Sequence, residues 1–289
     1  MKLYTINTGH FKLDGGAMFG VVPKSMWNKL NPADENNLCS WALRCLLVED
    51  GDRLILIDTG MGDKQDPKFF GHYYLHGNDT MEKSLAVHGF TKDDITDVIL
   101  THLHFDHCGG SISRVGDKLL PAFKYATYWS NERHWQWATN PNEREKASFL
   151  KENIFPIKDS GQLKMIDLDS EQGNNDAELR EKAFSTEISL LLVNGHTDAM
   201  MLPKISYKGK TIVFMADLLP SIAHIPLPYV MAYDMFPLTT LKEKKSFLTE
   251  ALENDYILFF EHDPLYECCN LKLTEKGIRP DASFKLSEW

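Results

Sequence analysis

The chain has 289 residues, of which 43% are hydrophobic and 25% are charged, so it can bury a substantial core and global disorder is excluded. Its 41 Asp and Glu residues outnumber its 31 Lys and Arg residues, which disfavours nucleic acid and anionic membrane surfaces as main partners. We expect a single domain over residues 1–289, located in the cytoplasm with reduced cysteines, because the sequence shows no signal peptide, no membrane-spanning run and no C-x-x-C pair.

Strand patterns open the chain. Segments rich in β-branched and alternating apolar residues predict strands over Lys2–Thr8, Ser40–Glu49 and Arg53–Asp58, the last two joined as a hairpin through Asp50-Gly51. Residues 15–38 between them are rich in Gly, Pro and Asn, and their large apolar side chains look exposed. We therefore expect a long loop here that acts as a lid over an active site, since long loops in compact domains are often functional.

Helices and strands alternate in the rest of the chain. Capping residues and helical periodicity predict helices over Thr80–Gly89, Thr91–Asp94, Asn131–Ala138, Asn142–Asn153 and Leu241–Asn254. Short apolar runs predict buried strands over Asp97–Thr101, Tyr125–Trp129, Glu187–Val193, Thr211–Ala216 and Tyr256–Phe260. This mixture predicts packed sheets with outer helices, although periodicity alone leaves the topology open.

A dense group of potential metal ligands follows the strand Asp97–Thr101. The segment THLHFDHCGG, residues 101–110, places three histidines and an aspartate within six positions. In an extended segment His102 and His104 point to one side, and Asp106 and His107 follow where the chain turns. Imidazoles and carboxylates are ligands for zinc, iron and manganese, and such a cluster would be costly to bury without a cation.

Further candidate ligands follow three later strands. His196, Asp217 and His262 each lie just beyond a predicted apolar strand, where side chains from several strands can converge at one sheet edge. The charges favour two metal ions over one. Two divalent ions, balanced by Asp106, Asp217 and a bridging hydroxide, leave one net positive charge, which suits a site that stabilises a developing oxyanion.

These motifs resemble the metallo-β-lactamase superfamily in five regions, which are His102–His107, Leu56–Gly60, Gly195–Thr197, Asp217 and His262. The resemblance implies an α+β fold, a four-layer αβ/βα sandwich with a dinuclear metal site at one edge. It assigns His102, His104 and His196 to one metal, Asp106, His107 and His262 to the other, and Asp217 to both. Asp58 would orient ligands through hydrogen bonds. The expected cofactor is two Zn²⁺ ions, with iron and manganese as alternatives.

Within the superfamily, Gly15–Lys24 and Ala216–His224 are similar to quorum-quenching lactonases and their methyl parathion hydrolase relatives. Many acyl-homoserine lactonases have a tyrosine three residues after the bridging aspartate, where this chain has Pro220. His224 either takes over the polar role of that tyrosine in catalysis or is a loop residue satisfied by the backbone.

The predicted function is a dinuclear hydrolase in which a bridging hydroxide attacks a carbonyl carbon, with Asp106, Asp217 and His224 as candidate catalytic residues. Lactones such as N-acyl homoserine lactones are the preferred substrates. Phosphotriesters or aryl esters and glyoxalase II-like thioesters are the alternatives. A non-catalytic binding module is disfavoured because every ligand is present. Di-iron redox chemistry is disfavoured because fewer than 30 residues follow His262, too few for a flavin domain.

Aromatic clusters suggest the character of the substrate pocket. Residues predicted to line an apolar cleft for an acyl or aryl group are Met18, Phe19, Trp27, Phe69 and Phe70. The same exposed aromatic loops are compatible with a homodimer. Residues predicted to have no part in the site are the surface or loop histidines His10, His72, His76, His88 and His134, and the solvent-facing Lys242, Lys244 and Lys245.

Overall fold

The computed structural model describes residues 1–168 and 179–289. The strands in these residues are β1 (Lys2–Asp14), β2 (Leu38–Asp50), β3 (Arg53–Ile57), β4 (Asp97–Ile99), β5 (Ile112–Val115), β6 (Lys118–Pro121), β7 (Thr127–Asn131), β8 (Leu163–Ile166), β9 (Arg180–Ala183), β10 (Ile188–Val193), β11 (Met200–Tyr207), β12 (Lys210–Phe214), β13 (Ile257–Phe259), β14 (Cys268–Thr274) and β15 (Gly277–Phe284). The helices are α1 (Gly15–Phe19), α2 (Lys24–Trp27), α3 (Pro67–Tyr73), α4 (Met81–Val87), α5 (Phe105–Cys108), α6 (Glu132–Thr139), α7 (Lys151–Asp159) and α8 (Pro237–Glu253).

The described chain forms two compact units. In each unit, predicted histidine ligands follow the ends of strands at one edge of the sheet. The first unit comprises residues 1–9 and 43–168, and the second comprises residues 10–42 and 179–289. β1 and β2 contribute residues to both units. The expectation of a single domain over residues 1–289 stays a prediction.

The first unit is built on a mixed sheet with the strand order β1-β2-β3-β4-β7-β8. β2 and β3 form an antiparallel hairpin, and β3, β4, β7 and β8 run parallel. Ile57 pairs with Ile99 at the ends of β3 and β4, so Asp58 and the residues after Ile99 leave the sheet at the same edge. Buried side chains such as Leu56, Val98 and Tyr128 form the core of this unit, which is why its central strands are almost wholly apolar.

The second unit is built on a mixed sheet with the order β15-β14-β13-β12-β11-β10-β9. β12 and β13 are its parallel pair, with Phe214 opposite Phe259, so Asp217 and His262 follow strands that end at one edge. The antiparallel pair β10 and β11 closes near that edge with Val193 opposite Met200. α8 packs against β14 and β15. This topology places three separate segments of the second unit side by side.

Most predicted elements are confirmed with small shifts at their ends, and two are wrong. The predicted helix Asn142–Asn153 is instead a turn followed by α7, because the Asn142 side chain accepts the backbone N–H groups of Arg144 and Glu145 and Leu150 is extended. Residues 15–38 are not one loop, because Asp14 caps the short helix α1 and α2 follows it. The structure also contains strands that the sequence patterns did not predict: β5, β6, β8, β9, β11, β14 and β15.

Candidate functional site

The connection from β4 to α5 carries the histidine cluster of the first unit. The chain leaves the sheet after Ile99 and has no regular secondary structure until α5 begins at Phe105. Four predicted ligands on this connection and on α5 are buried: His102, His104, Asp106 and His107. His107 Nε2 lies 4.0 Å from the Asp106 carboxylate, and His102 Nε2 lies 3.1 Å from His104 Nδ1.

Asp58 fixes two of these histidines. Its carboxylate accepts the Nδ1–H of His107 at 3.0 Å and the hydroxyl of Thr101 at 2.6 Å. Because the Thr101 hydroxyl donates to Asp58, its oxygen accepts the Nδ1–H of His102, which lies 3.1 Å away. Both imidazoles therefore carry their proton on Nδ1 and direct the lone pair of Nε2 away from Asp58. The geometry agrees with the orienting role expected for Asp58.

His104 has a different partner and the opposite tautomer. Its Nε2 lies 2.9 Å from the carboxylate of Glu145, a buried residue of the turn before α7. A carboxylate only accepts hydrogen bonds, so Nε2 carries the proton and the lone pair lies on Nδ1. Glu145 was missed by the sequence analysis, because no pattern marks a glutamate that lies 41 positions from its histidine partner.

The second unit holds three predicted ligands together. His196 lies in the loop between β10 and β11, with Nδ1 2.9 Å from the carboxylate of Asp234 and Nε2 3.1 Å from that of Asp217. His262 donates its Nδ1–H to the carbonyl of Ala42 at 2.8 Å, and its Nε2 lies 3.2 Å from Asp217. Burial alone would lower the pKa of His196, but the Asp217 and Asp234 carboxylates raise it to about 10.

Both clusters would be stabilised by a positive charge. His196 and His262 use Nδ1–H for other acceptors, so the Nε2 atom of each faces an Asp217 carboxylate oxygen, a contact that needs a proton or a metal ion between the two atoms. In the first unit the lone pairs of His102 Nε2 and His104 Nδ1 face each other in the same way. Two acceptors at about 3 Å repel unless a proton or a cation lies between them. Buried imidazoles and carboxylates with outer hydrogen-bond partners are the donor set that divalent metals bind.

His224 has a partner on each ring nitrogen. It donates its Nε2–H to the carbonyl of Met18 at 2.9 Å, and its Nδ1 accepts the hydroxyl of Ser221 at 2.8 Å. Burial lowers the pKa of His224 to about 3, which keeps the imidazole neutral. These contacts match the second of its two expected roles, that of a loop histidine satisfied by its surroundings.

Three predicted pocket residues of the segment 15–38 are buried, which corrects the expectation that they are exposed, whereas Val21, Met26 and Leu30 of the same segment are exposed. Met18, Phe19 and Trp27 are at most 2% exposed. The Phe19 ring is stacked on Trp27 at 5.3 Å and on His224 at 4.7 Å. The burial follows from this stacking.

Phe69 and Phe70 lie on α3 in the first unit, not in a loop as predicted. Both are partly buried. Phe69 packs edge-on against Phe105 at 5.3 Å and lies beside Tyr73 at 5.0 Å. An aromatic group therefore adjoins the residue that precedes Asp106.

Two residues set aside in the sequence analysis are buried contacts. His134, predicted to lie on the surface or in a loop, is 1% exposed, and its Nε2 accepts the backbone N–H of Leu103 between two predicted ligands. Lys244, predicted to face solvent, is fully buried, and its ammonium group donates to three backbone carbonyls, those of Pro226, Leu227 and Tyr229. Both sites are polar contacts with the backbone, which sequence periodicity does not reveal.

Comparison with known proteins identifies the family. A model described as the metallo-beta-lactamase superfamily matches residues 44–262, well over half of the chain. The chain belongs to this superfamily. The metallo-beta-lactamase fold, with two mixed sheets flanked by helices, is thereby established, as the sequence motifs predicted.

Three relatives illustrate the range of similarity. An N-acyl homoserine lactonase of Bacillus thuringiensis is 32% identical over 120 residues, which are 38% of this chain and 44% of the lactonase. The match thus spans less than half the length of that relative. A probable metal-dependent hydrolase from Staphylococcus aureus is similar in structure, with a TM-score of 0.86 and 27% identity over 98% of this chain and 96% of the other. The dizinc quorum-quenching lactonase AidC, in complex with a product, has a TM-score of 0.76 at 22% identity, with coverage of 98% and 95%.

Across residues 1–168 and 179–289, none of the helices combines the length and the apolar character needed to cross a bilayer.

Proposed function

We propose that this superfamily member is a dinuclear metal-dependent hydrolase that opens lactones carrying an acyl or aryl group, such as N-acyl homoserine lactones. The observation that carries the proposal is the hydrogen bonding of the five buried histidines among the predicted metal ligands. In each of them one ring N–H donates a hydrogen bond to a protein acceptor. The other ring nitrogen is directed at another ligand candidate. The match to a lactonase of Bacillus thuringiensis supports the choice of substrate.

The proposed ligands follow the superfamily motif. One metal would be held by His102, His104 and His196, and the other by Asp106, His107 and His262. Asp217 would contribute to both sites, and zinc is the proposed ion. When bound, the two ions lower the pKa of water toward about 7 and polarise a carbonyl group.

In the proposed mechanism a side chain of this protein transfers a proton from the attacking water to the leaving alkoxide. The Asp217 carboxylate, which faces the imidazoles of His196 and His262, orients the attacking water and accepts its proton. The same carboxylate then returns that proton to the alkoxide that leaves when the ring opens. Asp106 adds negative charge beside His107 and holds the second ion. Asp58 keeps His107 and, through Thr101, His102 in the required tautomer.

The proposed substrate pocket uses the apolar residues predicted from the sequence. Met18, Phe19 and Trp27 are at most 2% exposed, so a substrate would contact them only where this packing opens. Phe69 and Phe70 on α3 are partly buried, so part of each ring remains available to an acyl or aryl chain.

The test is hydrolysis of a series of lactones with different acyl chains, followed by pH-stat titration on zinc-loaded protein. We expect turnover that chelation abolishes and zinc restores, and that His104→Ala eliminates. His76→Ala, which changes an exposed histidine, is the matched control and should retain full turnover. Hydrolysis of phosphotriesters or thioesters without any lactone turnover would overturn the substrate assignment. Visible-region absorbance from bound iron would instead favour the redox alternative.

A further inference from the structure

The turn between α6 and α7 wraps around His104. The Phe149 ring lies 4.8 Å from the His104 ring, and the carbonyl of Ser148 accepts the backbone N–H of Phe105 at 3.0 Å. Glu145 completes the contact through its carboxylate, 2.9 Å from His104 Nε2. Its side chain is 1% exposed, so its contacts with protein groups determine where the carboxylate points.

The other contacts of Glu145 fix its orientation. The indole N–H of Trp137 donates to Oε2 at 2.6 Å, and the side-chain amide of Asn142 donates to the same oxygen at 3.4 Å. The Asn142 side chain also accepts the backbone N–H of Glu145 at 3.1 Å. One carboxylate oxygen is thus held by Trp137 and Asn142, which leaves Oε1 for His104. A buried carboxylate is tolerated when it is hydrogen-bonded in this way.

We propose that Glu145 is a positioning residue that holds the proton of His104 on Nε2 and so directs the Nδ1 lone pair toward the metal assigned to His102 and His104. This inference rests on the proposed function. A carboxylate behind an imidazole fixes the tautomer and ring orientation and raises the basicity of the other nitrogen. His102 donates its Nδ1–H to Thr101, so its lone pair lies on Nε2. That Nε2 atom lies 3.1 Å from His104 Nδ1, and the two lone pairs point toward each other.

The position of Glu145 distinguishes it from Asp58 and Asp234, which also hold histidines among the proposed ligands. Asp58 and Asp234 contact the Nδ1 of His107 and His196, and therefore direct Nε2 lone pairs. Glu145 contacts an Nε2 and directs an Nδ1 lone pair. Without it, the Nε2–H tautomer of His104 loses its acceptor, and the Nδ1–H tautomer would point a proton at His102.

The first experiment measures the tautomer in the wild-type protein. Two-bond ¹⁵N–¹H correlation spectra of ¹⁵N-histidine-labelled, zinc-loaded protein should show His104 protonated at Nε2, with Nδ1 shifted by the metal. The remaining proposed ligand histidines should show the opposite tautomer. A proton on His104 Nδ1 would overturn the proposal without any need for a variant.

The second experiment removes the charge of Glu145. Glu145→Gln should weaken one of the two zinc-binding steps by about 10- to 100-fold in competition with a chromophoric chelator, as is typical when an outer partner of a metal ligand is changed. The zinc affinity of the other binding step should stay within about threefold of the wild-type value. Trp137→Phe, which removes the indole donor together with part of the ring system, should weaken the same step by a smaller factor.

Glu143→Gln is the matched control, because Glu143 is an exposed glutamate two positions away that pairs with Lys146. It should bind both zinc ions as the wild type does. Unchanged zinc affinity in folded Glu145→Gln protein would overturn the proposal. A wild-type protein that binds two zinc ions, shows the expected tautomer and hydrolyses no lactone would refute the proposed substrate and leave the role of Glu145 intact.

Discussion

Gly195 lies directly against Thr240: a Cβ atom placed on Gly195 would be 2.4 Å from the backbone nitrogen of Thr240. The loop that carries His196 is therefore seated on the first turns of α8. The backbone carbonyls of Gly195 and His196 accept N–H groups from Phe236 and Met235 at 2.8 and 3.0 Å, and the Glu243 carboxylate accepts the N–H of Gly195 at 2.9 Å. The glycine before His196 is required by close approach to a helix.

Replacing Gly195 by alanine should separate the His196 loop from α8. Because the new methyl group would overlap backbone atoms of Thr240, we expect Gly195→Ala to lower the free energy of unfolding by about 2 kcal/mol and to weaken zinc binding. Urea denaturation of the metal-free protein and a zinc titration measure the two effects. Gly71→Ala is the control, since a Cβ atom there meets nothing within 4 Å. Equal stability of the two variants would contradict the close contact.

Lys244 should be a major contributor to stability. Its ammonium group donates to the carbonyls of Pro226, Leu227 and Tyr229 at 3.1, 3.3 and 2.7 Å. Lys244→Met would leave these carbonyls without that donor, and we expect the free energy of unfolding to fall by about 3 kcal/mol. The neighbouring exposed residue gives the matched control, Lys245→Met, which should change it by less than about 0.5 kcal/mol. Similar denaturant midpoints for both variants would argue against a role for the three hydrogen bonds.

Asp97 should contribute stability that depends on pH. Burial alone would raise the pKa of its carboxyl, but hydrogen bonds from Arg53, Thr96 and Trp129 outweigh burial and lower it. A lowered folded-state pKa gives stability that is fully present above the unfolded-state pKa of about 4 and is lost as the pH falls through the folded-state value. The lost hydrogen bonds to a charged group should make Asp97→Asn about 2 kcal/mol less stable than the wild type at pH 7.

The difference between Asp97→Asn and the wild type should shrink below about pH 4, where the Asp97 carboxyl of the unfolded wild-type chain begins to take up a proton while that of the folded protein stays charged. Urea denaturation of metal-free protein from pH 7 to pH 3 measures it. Asp93→Asn, at an exposed position four residues earlier, should follow the wild-type curve. A stability difference independent of pH would show that the contribution of Asp97 is not electrostatic.

Asp217→Asn should separate folding from catalysis. The amide keeps the size of the side chain but cannot accept a proton from water, so we expect kcat for lactones to fall by at least about 100-fold. The metal-free protein should still fold, although at a lower unfolding midpoint than the wild type, because the carboxylate that raises the pKa of His196 is removed. A kcat close to that of the wild type would refute the proton-transfer role.

His224→Phe tests which of the two expected roles belongs to this histidine. Phenylalanine keeps the stack on Phe19 but loses the hydrogen bonds to Met18 and Ser221. If the role is structural, stability falls by about 1–3 kcal/mol, while kcat of the folded protein stays within about threefold of the wild type. If His224 contacts substrate as the missing tyrosine would, kcat falls by about 100-fold or more at unchanged zinc content.

The sequence alone predicted those candidate ligands that lie close together in the chain or directly follow a strand. His102, His104, Asp106 and His107 are close in sequence, and the apolar run before them predicted the strand that places them. Asp217 and His262 were predicted as ligands because each follows a buried strand, and the parallel pairing of β12 and β13 brings those strands together.

The residues that the sequence did not reveal act across large separations. Glu145 and Asp234 contact their histidines from turns 41 and 38 positions away, and no local periodicity encodes such a contact. Burial was misjudged for Phe19 and Trp27 because Gly, Pro and Asn around them indicated a loop, while ring stacking buries both side chains.

Asp58 has a thermodynamic consequence that follows from its two partners. It is bonded directly to His107 and, through the hydroxyl of Thr101, to His102, and the proposed assignment places these histidines on different metals. Whichever ion binds first would therefore order the Asp58 carboxylate. A histidine ligand of the second ion is held by hydrogen bonds to that same carboxylate. The two binding events should be linked by a favourable coupling free energy, and by reciprocity each ion should raise the affinity for the other by the same factor.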